Sequence, residues 1–256
     1  MSWIAYYAPG SGLGHLNRGL AVCLALREMG HDARLLSNSP MARGVAGLAR
    51  CPIVGVAPEE AEAYVEQARP AVLVMDTFAQ GLRGERPRAR AMVHVARRLL
   101  RPVAVAGFDA VIQAEPLAAE QEALLPGDAV RLPGPIRLAP GRVATPVPKE
   151  LDRDGLHLVV HSGPAAEVAE LVALAPEPRA VVNLNYYPAC NVMGRAAQVY
   201  SGAGYNVMAD MLGRKNHTAL PFPRRYDDQA ARLRGFFTEP LDGTELAART
   251  IASLLP

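Results

Sequence analysis

Two stretches of this chain follow the same physical plan, and that plan constrains the fold more than anything else in the sequence. Trp3 to Ala8 is an apolar run of strand type, followed directly by the turn Pro9-Gly10-Ser11-Gly12-Leu13-Gly14. From His15 the apolar residues take up helical spacing through Leu16, Leu20, Val22, Cys23, Leu24 and Leu26. Gly30 stops that helix, and Ala33 to Leu36 is a second strand. The other stretch begins with the apolar run Ala196–Tyr200 and turns at Ser201-Gly202-Ala203-Gly204. It enters a helical segment carrying Asp210, runs into a second apolar segment closed by Pro221 and Pro223, and finishes on Asp227-Asp228-Gln229. Strand, glycine turn, helix, strand is the opening unit of a parallel, doubly wound sheet.

The chain of 256 residues is long enough for one large or two small domains, each with its own core. Alternating strand-like and helix-like segments make the class α/β. Half of the residues are hydrophobic, 20% are charged, and the formal net charge of +2 gives no electrostatic case for a nucleic-acid partner. Cys23, Cys51 and Cys190 lie far apart without a CxxC, which argues against a disulfide framework or a zinc site. The N-terminus lacks the basic segment of a secretion signal, and no run approaches the roughly 20 apolar residues of a membrane span. A soluble cytoplasmic protein is the expectation.

In each stretch the glycines let backbone N–H groups approach an anion at a helix start, where the dipole favours negative charge. Two familiar nucleotide motifs do not fit. Gly10, Gly12 and Gly14 give G-x-G-x-G rather than G-x-G-x-x-G, and the second strand runs into Ser37-Asn38-Ser39 instead of an acidic ribose ligand. No G-x-x-x-x-G-K-[ST] is present, so a P-loop is out.

The later stretch resembles the donor-site signature of nucleotide-sugar glycosyltransferases of the GT-B fold. Gly204, Asn206, Asp210 and Asp228-Gln229 fill its places, Asp210 standing where the family usually has Glu. GSGLGHLNRGLA is similar to the first loop of the same group, closest to the subset with G-x-G-H-x-x-R. That subset includes predicted bacterial glycosyltransferases and the UDP-sugar hydrolase of pseudaminic acid synthesis. Gly12, Gly14, His15 and Arg18 occupy its positions. The resemblance implies a GT-B-like α/β architecture of two facing Rossmann-like domains with mostly parallel sheets and an interdomain cleft. The first domain would span residues 1–145 and take the acceptor; the second, residues 146–256, would bind the donor, with the proline-rich stretch Leu132–Pro148 as the approach between them. Most members are longer, so each domain here would be a trimmed version.

His15 is the candidate base. At a helix N-terminus the dipole disfavours imidazolium, so a neutral ring could deprotonate an acceptor hydroxyl or a water. The plain alternative is a His that caps the helix. Ala71 to Met75 reads as a buried strand ending on Asp76-Thr77-Phe78, and strand ends of such sheets point at the ligand crevice. The resemblance makes Asp76 the partner that orients His15; a turn Asp is the bland reading. His31 and His94 read as structural, His94 within an Arg-rich helix. That helix is expected over Arg83–Arg101, with Ala89, Met92, Val93, Ala96, Leu99 and Leu100 at helical spacing. Its arginines would be a solvated face, or a basic patch meeting an anionic acceptor or a membrane surface. Pro102 to Phe108 is expected to be a strand.

In the second half, His157 to Val160 and Ala180 to Leu184 read as strands and Ala165 to Leu174 as a helix. Ser162 and Gly163 follow the first of these, where the family holds donor phosphates; an N-cap turn explains them equally well. Asn183, Asn185, Tyr186 and Tyr187 would lie near the base. Donor contacts are expected from Gly202, Ala203, Gly204, Tyr205, Asn206, Asp210, Asp228 and Gln229. Leu246, Ile251 and Leu254 mark a terminal helix that docks on the body.

The expected activity is metal-independent, inverting transfer of a sugar from a nucleoside diphosphate, UDP by preference, to a hydroxyl acceptor of unknown type, with no cofactor. Helix dipoles and N–H groups can stabilise the departing diphosphate without a cation. Asp152-Arg153-Asp154 has the spacing of a metal-binding acidic pair, but it lies in the linker as solvated charge. A nucleotide-sugar hydrolase or epimerase, and a non-catalytic nucleotide-sugar binding subunit, are the competing readings.

Overall fold

A computed structural model describes residues 2–10 and 12–256; Ser11, inside the first glycine turn, lies outside the described residues. The chain divides into two compact units, Met1–Arg137 with Leu241–Pro256, and Leu138–Pro240.

In the first unit the chain runs β1 (Trp3–Ala8), α1 (Leu13–Glu28), β2 (Asp32–Ser37), α2 (Ala42–Ala46), β3 (Ile53–Gly55), α3 (Ala61–Ala68), β4 (Val72–Asp76), β5 (Ala91–Ala96), β6 (Ala110–Gln113), α4 (Ala119–Glu122) and β7 (Val130–Arg131). All pairings are parallel, in the order β3-β2-β1-β4-β5-β6-β7. β1, β4 and β5 are buried along their whole length, which is why they are continuous apolar runs without alternation. On one sheet face Trp3, Ala5, Tyr7, Leu73, Met75 and Met92 pack under α3 through Ala61 and Val65.

The second unit runs β8 (His157–Val160), α5 (Ala165–Leu174), β9 (Arg179–Val182), α6 (Cys190–Met193), β10 (Gln198–Gly202), α7 (Tyr205–Asp210), β11 (His217–Leu220) and α8 (Gln229–Arg234). Its parallel sheet has the order β11-β10-β8-β9. Leu158, Val182, Val199, Met193 and Met211 form one core, and Val159, Leu171 and Phe222 another. The last helix, α9 (Thr244–Ala252), belongs to the first unit, where it packs against α1. Its entry is pinned there: Gly243 N–H donates to the Pro135 carbonyl at 3.0 Å, and Arg137 N–H donates to Thr244 Oγ1 at 3.1 Å.

Two expected elements are corrected. Residues 83–101 are not a helix: Ala91–Ala96 is strand β5, buried on both faces between β4 and β6, so His94 is a strand residue. The apolar positions counted at helical spacing are a short continuous run, for which period carries no information. The arginines therefore share no helix face. Arg97 is buried against Glu115 at 3.3 Å, Arg98 donates to the Pro116 carbonyl at 2.8 Å, and Arg83 pairs with Glu59 at 3.2 Å. Nor is Pro102–Phe108 a strand. Gly107, at φ 75°, breaks the extended run, and the Asp109 carboxylate accepts from Met92 N–H at 2.7 Å, so pairing starts only at Ala110. Among the described residues no helix is long and apolar enough to cross a membrane.

Candidate active site

Both sheets reverse direction once. In the first unit β2 and β3 build out from one side of β1, and β4 to β7 from the other; a doubly wound sheet opens its ligand crevice at the carboxyl ends of the strands flanking that reversal. These are β1 and β4. His15, in the first turn of the helix after β1, and Asp76, the last residue of β4, meet there with His15 Nδ1 2.6 Å from Asp76 Oδ2. The turn after β1 is shaped for this. Gly10 has φ 129°, and a Cβ there would sit 3.0 Å from the His15 ring, so only glycine leaves the ring its place. Asn38, beyond β2, accepts the Gly10 N–H at 2.7 Å and holds the turn.

Asp76 is fully buried and accepts from further donors: Arg18 Nε at 2.7 Å, Arg18 Nη2 at 2.5 Å, the Tyr6 hydroxyl at 2.8 Å and the Thr77 hydroxyl at 3.4 Å. Burial by itself would raise its pKa, but the Arg18 charge, with hydrogen bonds from His15 and Arg18, holds the carboxyl far below the usual range. Burial and the Asp76 charge raise the Tyr6 phenol well above 10, so it remains a donor. An ionised carboxylate can only accept, so Nδ1 of His15 carries the proton and Nε2 presents a lone pair. Nε2 has no hydrogen-bond partner among the described residues, and the side chain is 16% exposed. Burial lowers the His15 pKa below 6.5; the Asp76 bond and charge oppose this, while Arg18 and Arg97 add to it. Thr77, at φ 67°, accepts from Arg18 Nη2 at 2.9 Å and turns the chain so that Phe78 stacks on the His15 ring at 5.5 Å. A left-handed threonine is a strained position, held here by the bonds around it.

Arg18, expected as a substrate contact, is completely buried behind Asp76. Gly12 and Gly14 lie where α1 starts, and a Cβ at either would meet open space. Neither glycine is demanded by packing.

In the second unit the reversal lies between β8 and β10. The residue at the end of β8 is His161, and its ring fills the spot. Its Nε2 is 2.6 Å from Glu167 Oε2, and Phe222 packs on it at 5.0 Å. Glu167 in turn binds Arg224 through both oxygens at 2.6 Å, which with His161 lowers the Glu167 pKa. Gly202 is the last residue of β10, and a Cβ there would approach His161 Cε1 to 2.7 Å; one on Gly163 would collide with the same ring. These two glycines make room for a histidine. Ser162 is exposed beside them.

The other expected donor residues are distributed as follows. Ala203 is buried and donates its N–H to the Leu220 carbonyl at 2.8 Å. Gly204 is the N-cap of α7 with open space around it; Tyr205 is buried edge-on to Phe236, Asn206 is half-buried in the first turn, and half-buried Asp210 is the helix's last residue. Asp228 caps α8, accepting Ala231 N–H at 3.0 Å, and buried Gln229 accepts Phe222 N–H at 3.1 Å. Both of these side chains hold local backbone. The sequence did not single out Tyr6, His161, Glu167 or Arg224. The signal for Tyr6 was strand alternation, which sends it to the face of β1 shared with Asp76. For His161 it was its place at a strand end; nothing local pairs Glu167 with Arg224, 57 residues away. Among the described residues no cluster could hold a metal ion.

No protein-family model matches this sequence, and no curated protein matches it. Solved structures do. The glycosyltransferase SnogD from Streptomyces nogalater superposes with a TM-score of 0.51 at 15% identity, covering 100% of this chain and 96% of that one. SsfS6, a Streptomyces sp. SF2575 glycosyltransferase solved with thymidine diphosphate, gives 0.56 at 12% identity over 100% and 96%. The spinosyn rhamnosyltransferase SpnG, solved with spinosyn aglycone, gives 0.56 at 14% over 98% and 95%. Two parallel α/β units in one chain, matched along their whole length by these enzymes, define the fold: it is that of the GT-B glycosyltransferases.

Proposed function

We propose that this protein is a glycosyltransferase that moves a sugar from a nucleoside diphosphate donor to a hydroxyl acceptor, with inversion and with His15 as base. The observation that carries this reading is the 2.6 Å contact between His15 Nδ1 and a buried, ionised Asp76, which leaves the Nε2 lone pair outward at the carboxyl end of the sheet. In the reaction Nε2 takes the acceptor's O–H proton while that oxygen bonds to the anomeric carbon. The bond from that carbon to the donor's phosphate oxygen breaks, and its electron pair departs with the diphosphate. Asp76 offsets the positive charge that forms on His15, and Arg18 keeps Asp76 ionised. Gly202, Ala203, Gly204, Tyr205, Asn206 and Asp210 of the second unit, with Ser162 and Gly163, are the proposed donor side; Asp228 and Gln229 would act there by fixing the backbone around it. UDP is the nucleotide the sequence resemblance favours, and a neighbour of the same fold was solved with thymidine diphosphate. A pyrimidine nucleoside diphosphate is therefore the class to test.

The experiment is release of nucleoside diphosphate from a panel of UDP- and TDP-sugars, with and without hydroxyl acceptors. Transfer predicts release that depends on acceptor and is lost in His15→Ala. Equal release with water alone would replace the proposal with hydrolysis. Absence of nucleotide-dependent thermal stabilisation would remove the donor site altogether.

A further inference from the structure

Two crossovers on one face of the first sheet have no helix. Residues 77–90 lead from β4 to β5 and residues 97–109 from β5 to β6, both as irregular chain. Right-handed connections running in one direction place both segments on the same face, beyond the part that α3 covers. Irregular chain fills space less evenly than a helix, and here it leaves a cavity of about 140 Å3. Its floor is apolar: Met75 and Met92 from the sheet, Pro87 and Phe108 from the two crossovers. Arg86 and Arg88, both exposed, also line it. Arg88 Nη1 donates to the Gly107 carbonyl at 3.2 Å, which fixes one guanidinium beside the opening. Glu62 stands close to Arg86 but is engaged by the Arg86 backbone N–H, and Glu85 is taken up by Tyr7 and the N–H groups of Leu82 and Arg83. Neither lining guanidinium has a carboxylate partner among the described residues.

The cavity is not the His15 site. Met75 and Asp76 are successive residues of β4, and successive side chains of a strand leave on opposite faces. Met75 belongs with the α3 face and Asp76 with Tyr6 and Arg18.

We propose that this cavity binds a small aromatic carboxylic acid, its ring on Met75, Met92, Pro87 and Phe108 and its carboxylate on Arg86 and Arg88. The volume matches the ligand: a dry cavity of roughly 150 Å3 is enough to hold a benzene ring. Sulfur atoms of Met75 and Met92 are favourable partners for an aromatic ring. The planar fork of N–H donors on a guanidinium group matches the two oxygens of a carboxylate, and two such groups line the cavity. The site stands independently of the sugar-transfer reading.

The test is titration of the whole protein with sodium benzoate by calorimetry, with benzamide as the neutral isostere. The expected result is saturable binding of one benzoate, at least about tenfold tighter than benzamide, as expected for loss of a charge-assisted contact. The double variant Arg86→Gln, Arg88→Gln should weaken benzoate about tenfold or more and leave benzamide unchanged. Ala106→Trp, on the exposed lining segment, should abolish both, with circular dichroism confirming the fold. His15→Ala should leave benzoate affinity within about twofold. Absence of saturable binding, equal affinity for benzamide, an indifferent double variant, or loss of binding in His15→Ala would each overturn the proposal.

Discussion

Each unit places a histidine where its sheet reverses, His15 after β1 and His161 at the end of β8, and the two are fitted in opposite senses. His15 is tied through Nδ1, to a buried carboxylate that Arg18 keeps charged, and its far nitrogen has no hydrogen-bond partner among the described residues. His161 is tied through Nε2, to Glu167, and its near nitrogen is packed against Gly202. The same residue type at the same topological place therefore presents a nitrogen in one unit, where it is the proposed base, and fills space as a wedge in the other. What separates them is which ring nitrogen the neighbouring carboxylate takes.

That contrast breaks first on catalysis. His15→Ala should lower kcat by about 10²–10⁴, the range for a positioned general base, with nucleotide affinity nearly unchanged. His161→Ala should change kcat far less and alter nucleotide affinity instead. Steady-state kinetics with a nucleotide titration on both variants decides it, and equal losses of kcat would end the distinction.

The two carboxylates differ in the same way. Arg18→Gln leaves Asp76 buried without its main counter-charge, and breaking a buried pair from one side costs about 3–5 kcal/mol. Arg224→Gln uncovers a partly exposed pair, where water screens the charge, and should cost about 1 kcal/mol or less. Urea denaturation of both variants should show this order; a larger loss in Arg224→Gln would contradict it.

Glycines sharpen the comparison at smaller energies. Gly202→Ala drives a methyl group into His161 and should destabilise by about 1–3 kcal/mol, as overpacking does. Gly204→Ala meets open space at a helix N-cap and should cost no more than about 1 kcal/mol, while weakening nucleotide binding if a phosphate approaches that backbone. Thermal unfolding with and without nucleotide separates the two. A stability loss in Gly204→Ala as large as in Gly202→Ala would mean that its surroundings are filled.

The sequence made most strands legible because they are short apolar runs, several of them closed by glycine or proline, and α1 because it starts after a glycine turn and stops at Gly30. It failed at β5, where a strand buried on both faces has no period to read. His15 and Asp76 were legible one at a time, from a glycine turn and from a strand end. Their joint environment was not. Tyr6 and Thr77 reach Asp76 through β1–β4 pairing and a left-handed backbone turn, features that exist only once the strands are in register. The same holds for the role of Gly163 and Gly202. In sequence they look like openings for a phosphate; in the fold both face the His161 ring, which Gly163 follows by two residues and Gly202 meets from the neighbouring strand β10.

The smallest effect is a displacement in pH, and its sign discriminates between the partners. The proposed base acts as the neutral ring, and burial lowers the His15 pKa from 6.5 against the pull of Asp76. A plot of kcat/KM should thus be level at neutral pH and fall on acidification with a midpoint below 6.5. Asp76→Asn removes the group that raises that pKa, so the midpoint should move lower still even as the plateau drops. His161→Ala should not move it. Stability follows the same sign. The unfolded histidine binds its proton near 6.5 and the folded one at lower pH, so this contribution is complete above 6.5 and declines as pH falls below it. The Asp76 contribution, from a depressed carboxyl, is lost only at pH values below the ordinary carboxylate range. A midpoint above 6.5, or one that Asp76→Asn shifts upward, would mean that the carboxylate facing His15 does not govern its protonation.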